Sequence, residues 1–395
     1  MKFKILKYFF PHDYLFGLGF FYYLLTPFII LNYDLFNNYN QFDIFFKGYD
    51  FKNNYFYLSL IIIYFFSFIL GSHWIHSFVK KTKIKSQIND YNYFEIVIVV
   101  IAILLNALII INFNKLFVGY SSDNYNENNL RGTFTTLQMV LTFIFLYFKF
   151  QNNKFTFFTL LLIIENSIII AGLGSRLYIL FTLISYLIYL YFINKLKLKT
   201  FIFYALLTLT ILFFVGAYRS NLELDFSLLA FFVLAEANFS WLSVSSMLEL
   251  NSDFSLFSFP SNFFSSFLNF IPSFIYPEKA ELIIDSKELL NFETPIGATN
   301  IFVSVISNFG ILGACLFFFG IGTFFSIIYF KRKSLFLKVY YITICSILPF
   351  QFFRDSFSII NKSIFYNLLI LPILFILFNK LIFLIVKTSE KKNIN

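Results

Sequence analysis

Few side chains in this sequence can do chemistry, and the arginines stand out first. Its 395 residues include 30 lysines and arginines together. Only five of these are arginine: Arg131, Arg176, Arg219, Arg332 and Arg354. A guanidinium is a planar fork that takes two phosphate oxygens at once, which a lysine ammonium does not reproduce. Ionisable groups at membrane depth are functional candidates by default. The bland alternative is that such arginines snorkel to lipid headgroups. The three histidines, His12, His73 and His76, offer no metal site. His73 and His76 are three residues apart, but no acidic or thiol neighbour lies near them in sequence. Cys315 and Cys345 sit inside apolar runs and read as buried thiols. No phosphate-cradling glycine loop, thiolate cluster or nucleic-acid motif is present, so neither a cofactor, a metal nor a nucleic-acid partner is expected.

The elements that must position these groups are membrane helices. The chain is 59% hydrophobic and 13% charged, with a mean hydropathy of +0.76. Soluble domains carry roughly 25% charged residues. The expected fold is all-α, a polytopic transmembrane bundle of 10–12 spans forming a single integral membrane domain over residues 1–395. The 64 phenylalanines reflect in part an AT-rich codon usage. A span needs about 20 apolar residues, and ten runs near that length recur: Tyr14–Asn32, Tyr55–Ser72, Phe94–Asn112, Phe134–Phe150, Phe155–Gly172, Leu177–Ile193, Phe201–Ala217, Ile301–Phe330, Leu335–Phe353 and Ile364–Asn379. Residues Phe226–Tyr276 read either as two more spans, Phe226–Leu248 and Leu256–Tyr276, or as a segment that dips into the membrane and returns; twelve spans is the preferred count. The basic start, Met1–Lys7, leads into the first span and not into a cleaved signal peptide.

Orientation follows from the lysines. Lys80–Lys85, Lys195–Lys199, Lys331–Lys333 and the tail Lys387–Lys392 alternate with loops poor in charge. The positive-inside rule then places both termini in the cytoplasm. The net charge of +9 is accounted for by inner lysines facing anionic lipid. The arginines invert the rule: only Arg332 falls inside, and Arg131, Arg176, Arg219 and Arg354 fall on the outer face at or beside span ends. The main external loop is residues 277–300. Within it, Glu278–Leu290 has the spacing of a short interfacial amphipathic helix, and Glu293–Thr299 reads as a tight loop broken by Pro295 and Gly297. Ile301–Phe330 would measure about 45 Å as one helix, longer than the roughly 30 Å of hydrocarbon. Asn308-Phe-Gly310 with Gly313 permits a local break or a close helix contact there. No internal repeat stands out.

These pieces together resemble the O-antigen polymerase (Wzy) family, the oligosaccharide repeat-unit polymerases of bacterial surface polysaccharides. Gly174-Ser-Arg176 opens a span as the family's Gly-Ser-Arg segment does. Ala217-Tyr-Arg219 closes one at the outer face. Asn269-Phe-Ile-Pro272, Pro277-Glu-Lys279, the Gly-Ala-Thr series and Asn308-Phe-Gly310-x-x-Gly313 follow in the family's order. The likeness covers the whole chain in topology and these patches in sequence.

The resemblance implies a polyprenyl-pyrophosphate-linked oligosaccharide as substrate. The growing chain passes from one lipid onto the sugar of the next unit, at the outer face of a bacterial plasma membrane. It also implies a chain-length regulator and a flippase as partners. Arg176 and Arg219 would stabilise charge on the leaving pyrophosphate, with Arg131 and Arg354 as supporting contacts. The general base would come from Glu223, Asp225, Glu293 or Asp355; Asp355 adjoins Arg354 and equally suits a structural ion pair. Glu165 and Glu236 lie in apolar stretches, where a carboxylate needs a partner. Glu236 is retained as a site residue, and Asn308 as a substrate contact. O-antigen ligases share the topology but rely on an external histidine, which this orientation does not supply. A flippase should show two similar halves and charges along its depth. A monosaccharide-donor transferase usually carries an acidic pair in its first external loop, where Asp34, Asp43 and Asp50 form none.

Overall fold

The computed structural model describes residues 9–36, 55–75, 94–116, 130–173, 175–220, 226–251, 253–271, 275–294 and 298–392. Every regular element among them is helical. We number the main helices α1 (Pro11–Asn32), α2 (Tyr55–Trp74), α3 (Phe94–Ile111), α4 (Leu130–Gln151), α5 (Thr156–Gly172), α6 (Leu177–Phe192), α7 (Leu198–Ser220), α8 (Phe226–Leu250), α9 (Ser261–Ser265), α10 (Ile301–Lys331), α11 (Leu335–Cys345), α12 (Gln351–Arg354), α13 (Phe357–Asn361) and α14 (Leu371–Lys392). Six helical stretches are long and apolar enough to cross a membrane: α1, α2, Ala230–Leu250 of α8, α10, α4 and Phe357–Val386. The protein is therefore an all-helical, multi-pass membrane protein. Five shorter apolar helices accompany them. The chain packs as two compact units, one of Met1–Lys81, Glu223–Lys331 and Ile344–Lys362, the other of Thr82–Leu222, Arg332–Thr343 and Ser363–Asn395.

In the first unit, α2 and α10 run side by side in the same direction and α1 runs against them. Glycines set how close α2 and α10 come. A Cβ on Gly71 would lie 2.0 Å from the Phe319 carbonyl oxygen, and one on Gly322 2.2 Å from that of Phe68. Small residues let helix backbones approach where no hydrophobic force drives them together. Phe16 of α1 stacks on Phe68 of α2 with ring centroids 3.7 Å apart. Midway, α1 opens into a π-helical turn at Phe21–Leu25. Pro27 has no N–H to give, which leaves the Tyr23 carbonyl to accept from Asn300 Nδ2 at 3.3 Å. The same Asn300 begins α10, its Oδ1 accepting from the Phe302 N–H at 3.0 Å.

Three expectations change here. First, α8 is one continuous helix running the same way as α1: Tyr22 donates to the Val233 carbonyl, and further along Trp241 meets Tyr57, which in turn meets Phe28. Among its described residues Leu256–Tyr276 then forms no second span, so Arg219 and residues 277–300, both expected outside, are separated by the single span α8 and cannot both lie there. The described residues of that stretch contain only α9 and a 3₁₀ turn, Ser266–Phe270, as expected of a stretch holding Pro260 and five serines. Second, Glu278–Leu290 is not an amphipathic α-helix but two 3₁₀ turns, Pro277–Leu282 and Ser286–Glu288. Third, the expected span Leu335–Phe353 stops at Cys345 and turns over residues 346–350 before α12. The break anticipated near Gly310 is present: Gly310 has φ 71° and ψ 179°, a region open essentially to glycine alone.

In the second unit, α4, α5 and α6 are joined by a buried polar seam. Asn166 of α5 donates to Gln138 Oε1 at 2.8 Å and to the Phe134 carbonyl at 3.0 Å. Gln138 donates to Ser167 and Thr182, both at 2.9 Å. Hydrogen bonds of this kind hold helices in register where lipid offers no hydrophobic preference.

Candidate functional site

The polar seam fixes where the arginines of the second unit fall. Gln138 of α4 and Thr182 of α6 face each other, and so do Phe150 and Tyr189 further along, so α4 and α6 run in parallel. Arg131 is the second residue of α4 and Arg176 immediately precedes α6. Both therefore lie at the same end, each about 10 Å along its helix from the Gln138–Thr182 contact by the rise per residue. α7 folds back along α6, with Tyr186 and Tyr204 rings 5.8 Å apart, which returns the backbone of Arg219 to that end.

The Ser175 N–H donates to the Ile170 carbonyl at 2.9 Å, and the Arg176 carbonyl accepts from Ile179 and Leu180, each at 3.2 Å. Arg176 itself is only 5% exposed. A buried guanidinium is costly unless its charge is met. The side chain of Arg219, and the whole of Glu223, Asp225, Gly174, Pro295 and Gly297, lie outside the described residues.

Arg354 is placed differently. In the first unit its Nε meets Glu236 Oε2 at 3.0 Å, with Glu236 side chain 7% and Arg354 side chain 19% exposed. The pair lies beside the middle of α1, not at either end of it. Phe353, next to Arg354, stacks parallel to Tyr23 at 6.1 Å and sits on Gly19. A partner for the intramembrane Glu236 was expected, and it is this arginine. Glu293 is exposed and is held through its backbone, its N–H donating to Ser246 Oγ at 2.5 Å. Asn308 is buried; its Oδ1 accepts from the Phe263 N–H at 2.9 Å and its Nδ2 donates to the Ser304 carbonyl at 2.8 Å. Its amide thus ties the segment before α10 to α10 itself.

One constellation escaped the sequence reading. Asp13 lies between the histidines: Ser72 Oγ donates to its Oδ1 at 2.6 Å, His73 Nε2 is 3.2 Å from its Oδ2, and the Phe10 N–H donates to Oδ2 at 2.8 Å. His12 Nε2 is 2.9 Å from Ser72 Oγ and 3.3 Å from Ser326 Oγ. His73 therefore has an acidic partner, supplied by a residue 60 positions earlier in the chain. These contacts tie α1, α2 and α10 together. Among the described residues, no group of three or more His, Cys, Asp or Glu is placed to hold a metal. A cavity of about 440 Å³ between α3 and α14 is lined by Val97, Leu374, Phe375, Leu377, Phe378 and Leu381; it holds no polar side chain and is a lipid-type groove. No family model, curated protein or solved structure matches the chain.

Proposed function

We propose that the protein polymerises polyprenyl-pyrophosphate-linked oligosaccharide repeat units at the outer face of a bacterial plasma membrane. In each transfer the bond from the anomeric carbon to the pyrophosphate oxygen breaks. A bond to a hydroxyl oxygen of the next unit forms, the hydroxyl proton passes to a base, and the lipid pyrophosphate leaves with its electron pair. The observation that carries this reading is the gathering of Arg131, Arg176 and the Arg219 backbone at one end of α4, α6 and α7. The same chain uses lysine for most of its other cationic positions. Guanidinium groups preorganised at that end suit an anionic leaving group. Glu223 and Asp225, which follow Arg219 in sequence, are the acids nearest along the chain to serve as base. Glu236 is already engaged by Arg354, and we assign it a positioning role.

A second reading, a lipid-oligosaccharide flippase, is favoured by a separate observation. The first unit holds an ion pair at mid-helix depth and two interrupted helices, at Gly310 and at residues 346–350. Such features mark substrate paths in transporters. The two readings separate in a strain deleted for the gene. Loss of the polymerase leaves single repeat units on surface lipid, and wild type but not Arg176→Ala restores long chains at equal membrane level. Loss of a flippase leaves no units at the outer face at all.

A further inference from the structure

We propose that Ser255–Phe259 is a loop inserted into the bilayer, with Leu256, Phe257 and Phe259 solvated by lipid acyl chains beside the first half of α2. The inference rests on the membrane character of the chain and not on the polymerase reading.

Depth comes from α2. At 20 residues it measures about 30 Å, no more than the hydrocarbon thickness, so its whole length is needed to cross. Tyr64, its tenth residue, donates its hydroxyl to the Ile311 carbonyl at 3.2 Å. The Ile311 N–H in turn donates to the Ser255 carbonyl at 3.0 Å. The loop is thus bonded to α10 at the level that the Tyr64 hydroxyl reaches. Upstream, Phe254 stacks on Phe56 in the first turn of α2, with centroids 6.2 Å apart. Phe254 and Ser255 are adjacent, so the loop enters from the end at which α2 starts and reaches inward as far as the Tyr64 hydroxyl.

Irregular backbone survives at such depth only where protein meets its polar groups. The break at Gly310 leaves N–H groups on α10 without partners one turn back, and the loop takes them up. Leu312 donates to the Leu256 carbonyl at 2.9 Å, as does Gly313 at 3.4 Å, and Ser258 donates to the Phe309 carbonyl at 3.1 Å. The Ser255 and Ser258 hydroxyls bond each other at 2.5 Å. Gly310 admits this approach because a Cβ there would lie 2.6 Å from the Ser255 oxygen. These bonds meet part of the loop's backbone, and its side chains point outward: Leu256, Phe257 and Phe259 are 59%, 62% and 74% exposed. Phe257 lies against Gly313, beside the exposed Leu312 and Leu316 of α10. The loop surface is therefore continuous with the apolar outer surface of the bundle, and its occupant is the same lipid.

The test is a nitroxide on Phe257→Cys and, separately, on Phe259→Cys. The full chain, carrying Cys315→Ser and Cys345→Ala, is reconstituted in phosphatidylethanolamine–phosphatidylglycerol vesicles. Leu316→Cys serves as the lipid-facing control and Lys287→Cys as the aqueous one. Collision with oxygen should exceed collision with a water-soluble nickel chelate several-fold at 257 and 259, matching 316 and not 287. Nickel access equal to that at 287 would overturn the proposal in favour of a water-exposed loop. Shielding from both reagents would overturn it in favour of a protein partner or a second copy. Should the cysteine variants fail to fold, Phe259→Trp in a Trp74→Phe background, read as the difference from that background because Trp241 remains, gives the same answer. Its fluorescence should be quenched by lipids brominated on their acyl chains, and unquenched emission would refute the insertion.

Discussion

At the scale of single residues, the buried Arg354–Glu236 pair makes the clearest demand. Removing one partner strands the other charge in the interior, at a cost of roughly 3–5 kcal/mol. Arg354→Met should therefore lower the thermal unfolding midpoint in detergent far more than the double variant Arg354→Met with Glu236→Gln. Equal losses would show that the two side chains do not depend on each other. Asp13 makes a second demand. It accepts from Ser72 and the Phe10 N–H and lies against His73. Asp13→Ala leaves those groups short of an acceptor, costing about 1–3 kcal/mol, and the same melting measurement reads it. The need of Glu236 for a cationic partner was legible in the sequence, because a carboxylate in an apolar run cannot stay unpaired. The identity of that partner was not, since Arg354 lies 118 positions away and only the fold brings it near. Asp13 was overlooked for the same reason: partners for the histidines were sought among sequence neighbours of His73 and His76.

At the scale of elements, hydropathy located the helices well and their interruptions poorly. Each of the ten expected runs contains a helix, but apolar composition does not register where a helix stops. Ser346–Phe350 is as apolar as its surroundings and still turns; Pro349, which hydropathy does not weigh, is the residue there that cannot continue a helix. Gly310 was legible because glycine alone tolerates the backbone a break requires. Gly310→Ala should cost about 1–3 kcal/mol from the disfavoured backbone, with the contact to Ser255 added. Gly322→Ala, where the obstructing atom is the Phe68 backbone oxygen, should push α2 from α10. It should be more damaging than Gly320→Ala, which meets nothing within 4 Å. Expression and melting of the two variants side by side check this; equal behaviour would contradict the close α2–α10 contact.

At the scale of the whole molecule, charge distribution carries the functional account. Lysine counts suggested an orientation, and the parallel course of α4 and α6 brings two of the sequence-selected arginines to one end, with the backbone of a third. The central claim is that these arginines serve pyrophosphate-linked glycosyl transfer. Its most direct test uses purified protein in vesicles, supplied with a synthetic undecaprenyl-pyrophosphate-linked repeat unit and no other enzyme, with products resolved on a gel. A ladder of repeat-unit multiples, with released lipid pyrophosphate, should form with wild type. It should fall by about two orders of magnitude with Arg176→Ala, the scale of losing one preorganised transition-state donor. A ladder undiminished in Arg176→Ala, or no extension by a wild-type protein that instead moves the lipid across the vesicle membrane, would contradict the account.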